Sequence, residues 1–262
     1  MAQPEAAPDK AIRKVQRQNA RADARAAREG YLTLQLGSGL AQTLDARIAE
    51  NRYIGLGTMI SSGWLGRNPR RMLSYSLESR VLTFSQLNME NIGFNSYNQG
   101  RLAYLRALPL KGSQPGSLYL GGELSLLVNA RILSALGNSA INLDLVPSLA
   151  AALQYERDVT LRLFKSPLRL DGGLRLPLLS YVLRLPQYGL SGLGGISSAL
   201  APVGDFTRVV TELGFGTAFS PRNPNRWRFA YQWDFYAYSD LDIHPLRVAQ
   251  HALILQLSFN GR

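Results

Sequence analysis

Between Trp227 and Ser239 the chain reads WRFAYQWDFYAYS, with Trp227, Phe229, Tyr231, Trp233 and Phe235 on every second residue and Arg228, Ala230, Gln232 and Asp234 between them. A β-strand sends successive side chains to opposite faces, so this stretch is a ribbon with one large apolar face and one carrying charge and amide. Such a ribbon has two stable settings. In a soluble sandwich the apolar face turns into a core. In a transmembrane barrel it turns to lipid, and the polar face lines the lumen.

The same period of two runs through most of the chain from Tyr31 onward. Leu32, Leu34 and Leu36 alternate with Thr33 and Gln35. Ile54, Leu56, Ile60 and Trp64 share a face, with small residues between them. Leu73, Tyr75, Leu77 and Val81 oppose Glu78 and Arg80. Leu118 to Ile132 oppose Glu123 and Arg131, and Ile141 to Tyr155 oppose Asn142 and Asp144. Glu156-Arg157-Asp158 reads as a reversal, Val159, Leu161 and Leu163 around Arg162 as a strand, and Asp171-Gly172-Gly173 as a tight hairpin. Residues 186 to 204, rich in Gly and Ser, read as a long loop, outside the barrel or folded into it. Val209 to Phe219 oppose Arg208 and Glu212, and Leu253 to Phe259 form the last apolar face. The count is ten to twelve strands, taken as about twelve.

Alternation alone does not separate a barrel in lipid from a soluble sheet, but three features favour lipid. The strands are longer than the usual ~5–6 residues of soluble proteins and reach the ~9–11 that a tilted strand needs to cross a bilayer. The polar faces carry full charges at mid-strand: Glu78, Arg80, Glu123, Arg131, Asp144, Arg162, Arg208, Glu212, Arg228 and Asp234. A closed barrel leaves no strand edge unpaired, as hydrocarbon demands. Trp64, Trp227, Phe229, Tyr231, Trp233 and Phe235 then face lipid or form interfacial girdles, as Tyr155 and Tyr238 do near strand ends. The mean hydropathy of -0.08 fits, because lumen residues dilute the lipid-facing ones. No run of ~18 apolar residues offers a transmembrane helix.

Ahead of the alternation, residues 1 to 30 form a separate region: a Pro/Ala-rich start, then a helix predicted from Asp9 to Gly30. Arg13, Arg17, Arg21, Arg25 and Arg28 recur along it at steps of three and four, while Ile12 and Val15 are its only large aliphatics. It therefore buries no hydrophobic stripe. It reads as a solvated periplasmic helix, a lumen plug or a partner-binding ridge. The start lacks the apolar core of an export signal, and Ala2-Gln3-Pro4 reads as the residues left after one is removed.

Chemistry is sparsely encoded. Cysteine is absent, which excludes disulfides and thiolate sites, and the two histidines, His244 and His251, lack a serine two residues away. No phosphate loop and no His/Asp/Glu metal cluster is apparent, so neither cofactor nor metal is expected. The net charge of +11, mostly arginine, fits an anionic solute, lipid headgroups or internal ion pairs. A nucleic-acid platform is not expected, since Trp227 between Arg226 and Arg228 belongs to the apolar face.

With these repeats and the terminal strand HALILQLSFNGR, residues 31 to 262 resemble bacterial outer-membrane β-barrel proteins as a class. The terminal strand looks like the signal read by the barrel-assembly machinery, although Asn260-Gly261-Arg262 follow the aromatic Phe259. The resemblance implies an all-β, closed, antiparallel up-and-down barrel in the outer membrane of a Gram-negative cell, folded by that machinery and in contact with outer-membrane lipid. It implies no activity. Two non-enzymatic functions follow from the residues. In one, a small-solute channel or porin has a cationic, helix-plugged lumen. In the other, a non-conducting structural or assembly subunit pairs its lumen charges and binds another envelope protein through the N-terminal helix and loops. A lipid-modifying enzyme or a soluble carrier barrel stands third.

Overall fold

A computed structural model describes residues 29–45, 52–86, 92–109, 116–133, 140–161, 167–184, 197–202, 206–220, 223–238 and 246–261. The strands are β1 (Glu29–Asp45), β2 (Arg52–Asn68), β3 (Arg71–Gln86), β4 (Ile92–Leu108), β5 (Ser117–Leu133), β6 (Ala140–Val159), β7 (Leu168–Arg184), β8 (Ser197–Pro202), β9 (Phe206–Ser220), β10 (Asn223–Tyr238) and β11 (Leu246–Asn260). Each pairs antiparallel with its chain neighbour, except that β7 pairs with both β8 and β9. The first strand returns to the last, from Tyr31↔Asn260 to Asp45↔Leu246, and closes the sheet.

The wall has ten staves rather than about twelve. β8 pairs with residues 179–184 of β7 and β9 with residues 169–175, so these two segments are successive parts of one stave. Two further departures from the sequence reading come from β6 and β7. Glu156-Arg157-Asp158 lies inside β6, and Asp171-Gly172-Gly173 lies inside β7 in register with Glu156, Tyr155 and Gln154. Glycine there signals close approach within a strand, not a turn. The strand expected around Arg162 is absent at its start, since β6 ends at Val159; Arg162 itself lies outside the described residues. Part of the expected 186–204 loop is β8. The predicted N-terminal helix lies outside the described residues except at its end, where Glu29 and Gly30 open β1 instead of closing a helix; among the described residues every regular element is a strand.

Local sequence explains the wall. Leu, Ile, Val and aromatic residues point outward on every stave, with Leu253 70% and Leu56 66% exposed. A packed core would have hidden them; a barrel in hydrocarbon leaves them outside. Inward positions in β1 and β2 are often glycine. Gly39 faces Gly57 across the strand pair, and a methyl at either would strike the backbone of the next strand, β11 or β3. β2 turns into β3 through Pro69-Arg70, with the Asn68 side chain accepting from the Arg70 and Arg71 amides at 2.9 Å. A bulge at Leu149/Ala150 opposite Leu178 and Leu179 lets both leucines face outward and shifts the parity of β7.

Candidate functional site: the lumen

The barrel's interior divides into two halves. Toward the end opposite the chain termini it is packed solid. Tyr97, Leu127, Val146, Val182, Tyr236, Tyr238, Leu246 and Val248, from six staves, form one buried cluster. Tyr238, expected in an interfacial girdle, points inward because its parity matches Asp234 and Tyr236. A cavity of about 10 Å3 is left beside this cluster, room for one water at most.

Beneath the cluster lies a network of charges. Asp234 accepts from Arg208 at 2.7 and 3.0 Å and from the Tyr97 hydroxyl at 2.6 Å. Arg208 also donates to Gln99 at 3.0 Å and to the Tyr97 hydroxyl. On the facing wall Arg80 donates to Glu78 at 2.6 Å and to Gln250 at 2.7 Å, and its guanidinium lies 5.2 Å from the Tyr97 ring centroid. Arg101 reaches the other Glu78 oxygen at 2.8 Å. Nearer the packed end, Asp144 lies between Arg131 at 2.7 Å and Arg184 at 2.9 Å, and Asn129 donates to Tyr236. These groups are almost fully buried, Asp234 and Arg131 completely. Buried charge is tolerable only with partners, and the pairs span the bore, from β4 to β9 and β10 and from β3 to β11.

The half nearer the termini holds a cavity of about 180 Å3. Ion pairs line it too: Arg228 with Glu212 at 2.7 Å and with Asp171, Arg175 with Glu123 at 2.8 Å, and Arg67 with Glu156 at 2.5 Å and with Glu29. Arg169 and Arg226 also line it, reaching at 3.9 and 3.4 Å the Glu29 that Arg67 already holds, so this half keeps a cationic excess.

Of the charges singled out in the sequence, Glu78, Arg80, Glu123, Arg131, Asp144, Arg208, Glu212, Arg228 and Asp234 all point inward and are brought together here; Arg162 lies outside the described residues. Trp64, Trp227, Phe229, Tyr231, Trp233 and Phe235 lie on the outer face. Trp64 stacks on Tyr75 with centroids 6.1 Å apart, and Trp233 on Phe235 at 6.0 Å. Arg13, Arg17, Arg21, Arg25, Arg28 and His244 lie outside the described residues. His251 is on the outer face, its Nδ1 2.6 Å from the Tyr231 hydroxyl. Among the described residues no group of His, Asp and Glu is arranged to hold a metal.

Sequence reasoning missed Tyr97, Gln99, Arg101, Arg175, Arg184, Asp171 and Gln250. Parity would have found Arg175, which alternates with Leu174 and Leu176, and Gln250, which alternates with Ala249 and His251. No local pattern marks Tyr97, because Ser96 and Asn98 on its other side are polar as well.

A closed antiparallel barrel, apolar outside and polar within, defines the class: the chain has the fold of the bacterial outer-membrane β-barrel proteins. Among solved structures it is similar to the outer-membrane protease OmpT of Escherichia coli, at 9% identity and a TM-score of 0.52 over 89% of this chain and 96% of that one. It is also similar to the translocator domain of the autotransporter NalP of Neisseria meningitidis, at 11% identity and a TM-score of 0.49 over 96% of this chain and 97% of that one. At such identities the likeness is one of fold, and the protease activity stays with OmpT. No family model and no curated protein matches the sequence.

Proposed function

We propose that the protein is a non-conducting barrel of the outer membrane, a membrane-embedded scaffold for other envelope components rather than an open pore. The observation that carries this reading is the packed half of the lumen, where Tyr97, Arg208 and Asp234 meet across the bore beneath a buried apolar cluster. An aqueous channel needs a continuous wet path, and side chains at hydrogen-bond distance across the lumen argue against one.

Planar-bilayer recording of the purified protein tests this. The expected result is silence, both from the full chain and after deletion of residues 1–28. Steady anion-selective steps from the full chain would overturn the proposal. Steps that appear only after the deletion would favour a channel plugged by its N-terminal segment. Location is tested separately, by heat-modifiable gel migration of outer-membrane fractions.

A further inference from the structure

On the outer surface, at the end carrying the chain termini, two arginines stand side by side. Arg71 opens β3 and Arg106 lies near the end of β4; they are register partners, both outward and both exposed. Like charges directly opposite on adjacent strands repel. Among the described residues no carboxylate pairs with either. Tyr104, two residues before Arg106 and opposite Leu73, lies on the same outward face next to both. Arg70, in the adjoining turn, is also exposed. Two guanidinium groups and a phenol on one exposed patch, with no counter-ion among the described residues, have the chemistry that recognises a phosphate.

The same two strands supply a place for the rest of such a ligand. Four residues further into the wall, about 13 Å at the rise of a strand, come Tyr75 on β3 and Leu102 on β4. There begins an apolar groove of about 630 Å3, lined by Tyr75, Leu77, Leu102, Leu124 and Leu126 and floored at Gly100, which has no side chain to fill it. Cations at the rim and an apolar groove that starts beneath them at Tyr75 and Leu102 and crosses the staves toward Leu149 and Leu179 have the layout of an amphiphile with an anionic head.

We propose that Arg71, Arg106 and Tyr104 bind the phosphodiester of an anionic glycerophospholipid, with an acyl chain in the groove over Gly100. This rests on the membrane location but not on whether the bore conducts.

The test is native mass spectrometry of the full chain, delipidated in neutral detergent and titrated with phosphatidylglycerol or with phosphatidylcholine of the same acyl chains. The expected result is preferential retention of phosphatidylglycerol. The Arg71→Gln/Arg106→Gln variant should bind it about thirtyfold more weakly, since each cation near an anionic lipid contributes a factor of about five. Gly100→Leu should weaken retention without changing charge. The site has room for a Cβ, whose nearest neighbour would be Leu77 Cδ2 at 3.5 Å. Arg247→Gln, outward at the opposite end, should change nothing.

Equal retention of the two lipids, or unchanged binding by the double variant, would overturn the proposal. So would displacement of the lipid by equimolar inorganic phosphate, which would mark a free-anion site. Should the double variant fail to fold, unchanged binding by Gly100→Leu would overturn it alone. A chain that stays monodisperse without detergent would instead sink the membrane location.

Discussion

Replacing Asp234 with asparagine probes the sealed lumen directly. Asp234 has no exposed surface, and its two oxygens accept three hydrogen bonds, two from Arg208 and one from Tyr97. The amide keeps the shape but removes the charge, leaving the Arg208 cation buried with only neutral acceptors: the new amide oxygen, Tyr97 and Gln99. Breaking a buried ion pair from one side costs about 3–5 kcal/mol, because the surviving charge remains desolvated. If the lumen were wet, water would solvate Arg208 and the same change would cost about 0–1 kcal/mol, as at a surface pair. The two readings are thus separated by several kcal/mol. The measurement is equilibrium unfolding in denaturant of protein folded into vesicles, with the folded fraction read from gel migration. A companion variant, Asp234→Leu/Arg208→Met, removes both charges and should recover most of the loss. A single-variant cost below about 1 kcal/mol, with no recovery in the double, would show that water reaches the network and would refute the sealed-bore argument.

Leu253→Arg places a cation on the outer face midway along β11, where the leucine is 70% exposed, and should cost about 2–4 kcal/mol if that face meets hydrocarbon; the same unfolding assay reads it. Gly39→Val should destabilise by about 1–3 kcal/mol, because its Cβ would strike the His251 carbonyl of β11, whereas outward Gly100→Ala should be nearly silent in the same assay. Tyr97→Ala/Tyr236→Ala removes two fully buried rings from the packed half and should turn a silent barrel into one with measurable bilayer conductance.

Much of the wall was legible in the chain alone, because a strand in a barrel reports its environment every second residue. The outward set of β10, Trp227 to Phe235, and the inward set of Arg228, Gln232 and Asp234 follow from parity. So do the faces of β3 and β5 that hold Glu78, Arg80, Glu123 and Arg131. Where parity was interrupted, reading failed. Asp171-Gly172-Gly173 has the composition of a turn, yet cross-strand pairing holds it extended. The bulge that turns Leu178 and Leu179 outward shows only in the pairing with β6, where the consecutive Leu149 and Ala150 face Leu179 and Pro177. One stave is written as two segments, β8 and β9, and local sequence does not say that both pair with β7.

Where the alternation is unbroken, the sequence by itself determined which side of a ribbon is wet and which is greasy, because that depends only on the residue and its neighbours. It did not determine what the wet sides do to one another. Tyr97 and Asp234 are 137 positions apart, and Arg208 and Gln99 are 109 apart. They meet because closure at β1 and β11 wraps the sheet until opposite walls face each other at hydrogen-bond distance. The curvature that narrows the bore belongs to the whole ring of strands, so the closed sheet, not any stretch of chain, decides whether a row of charges lines a channel or fills it.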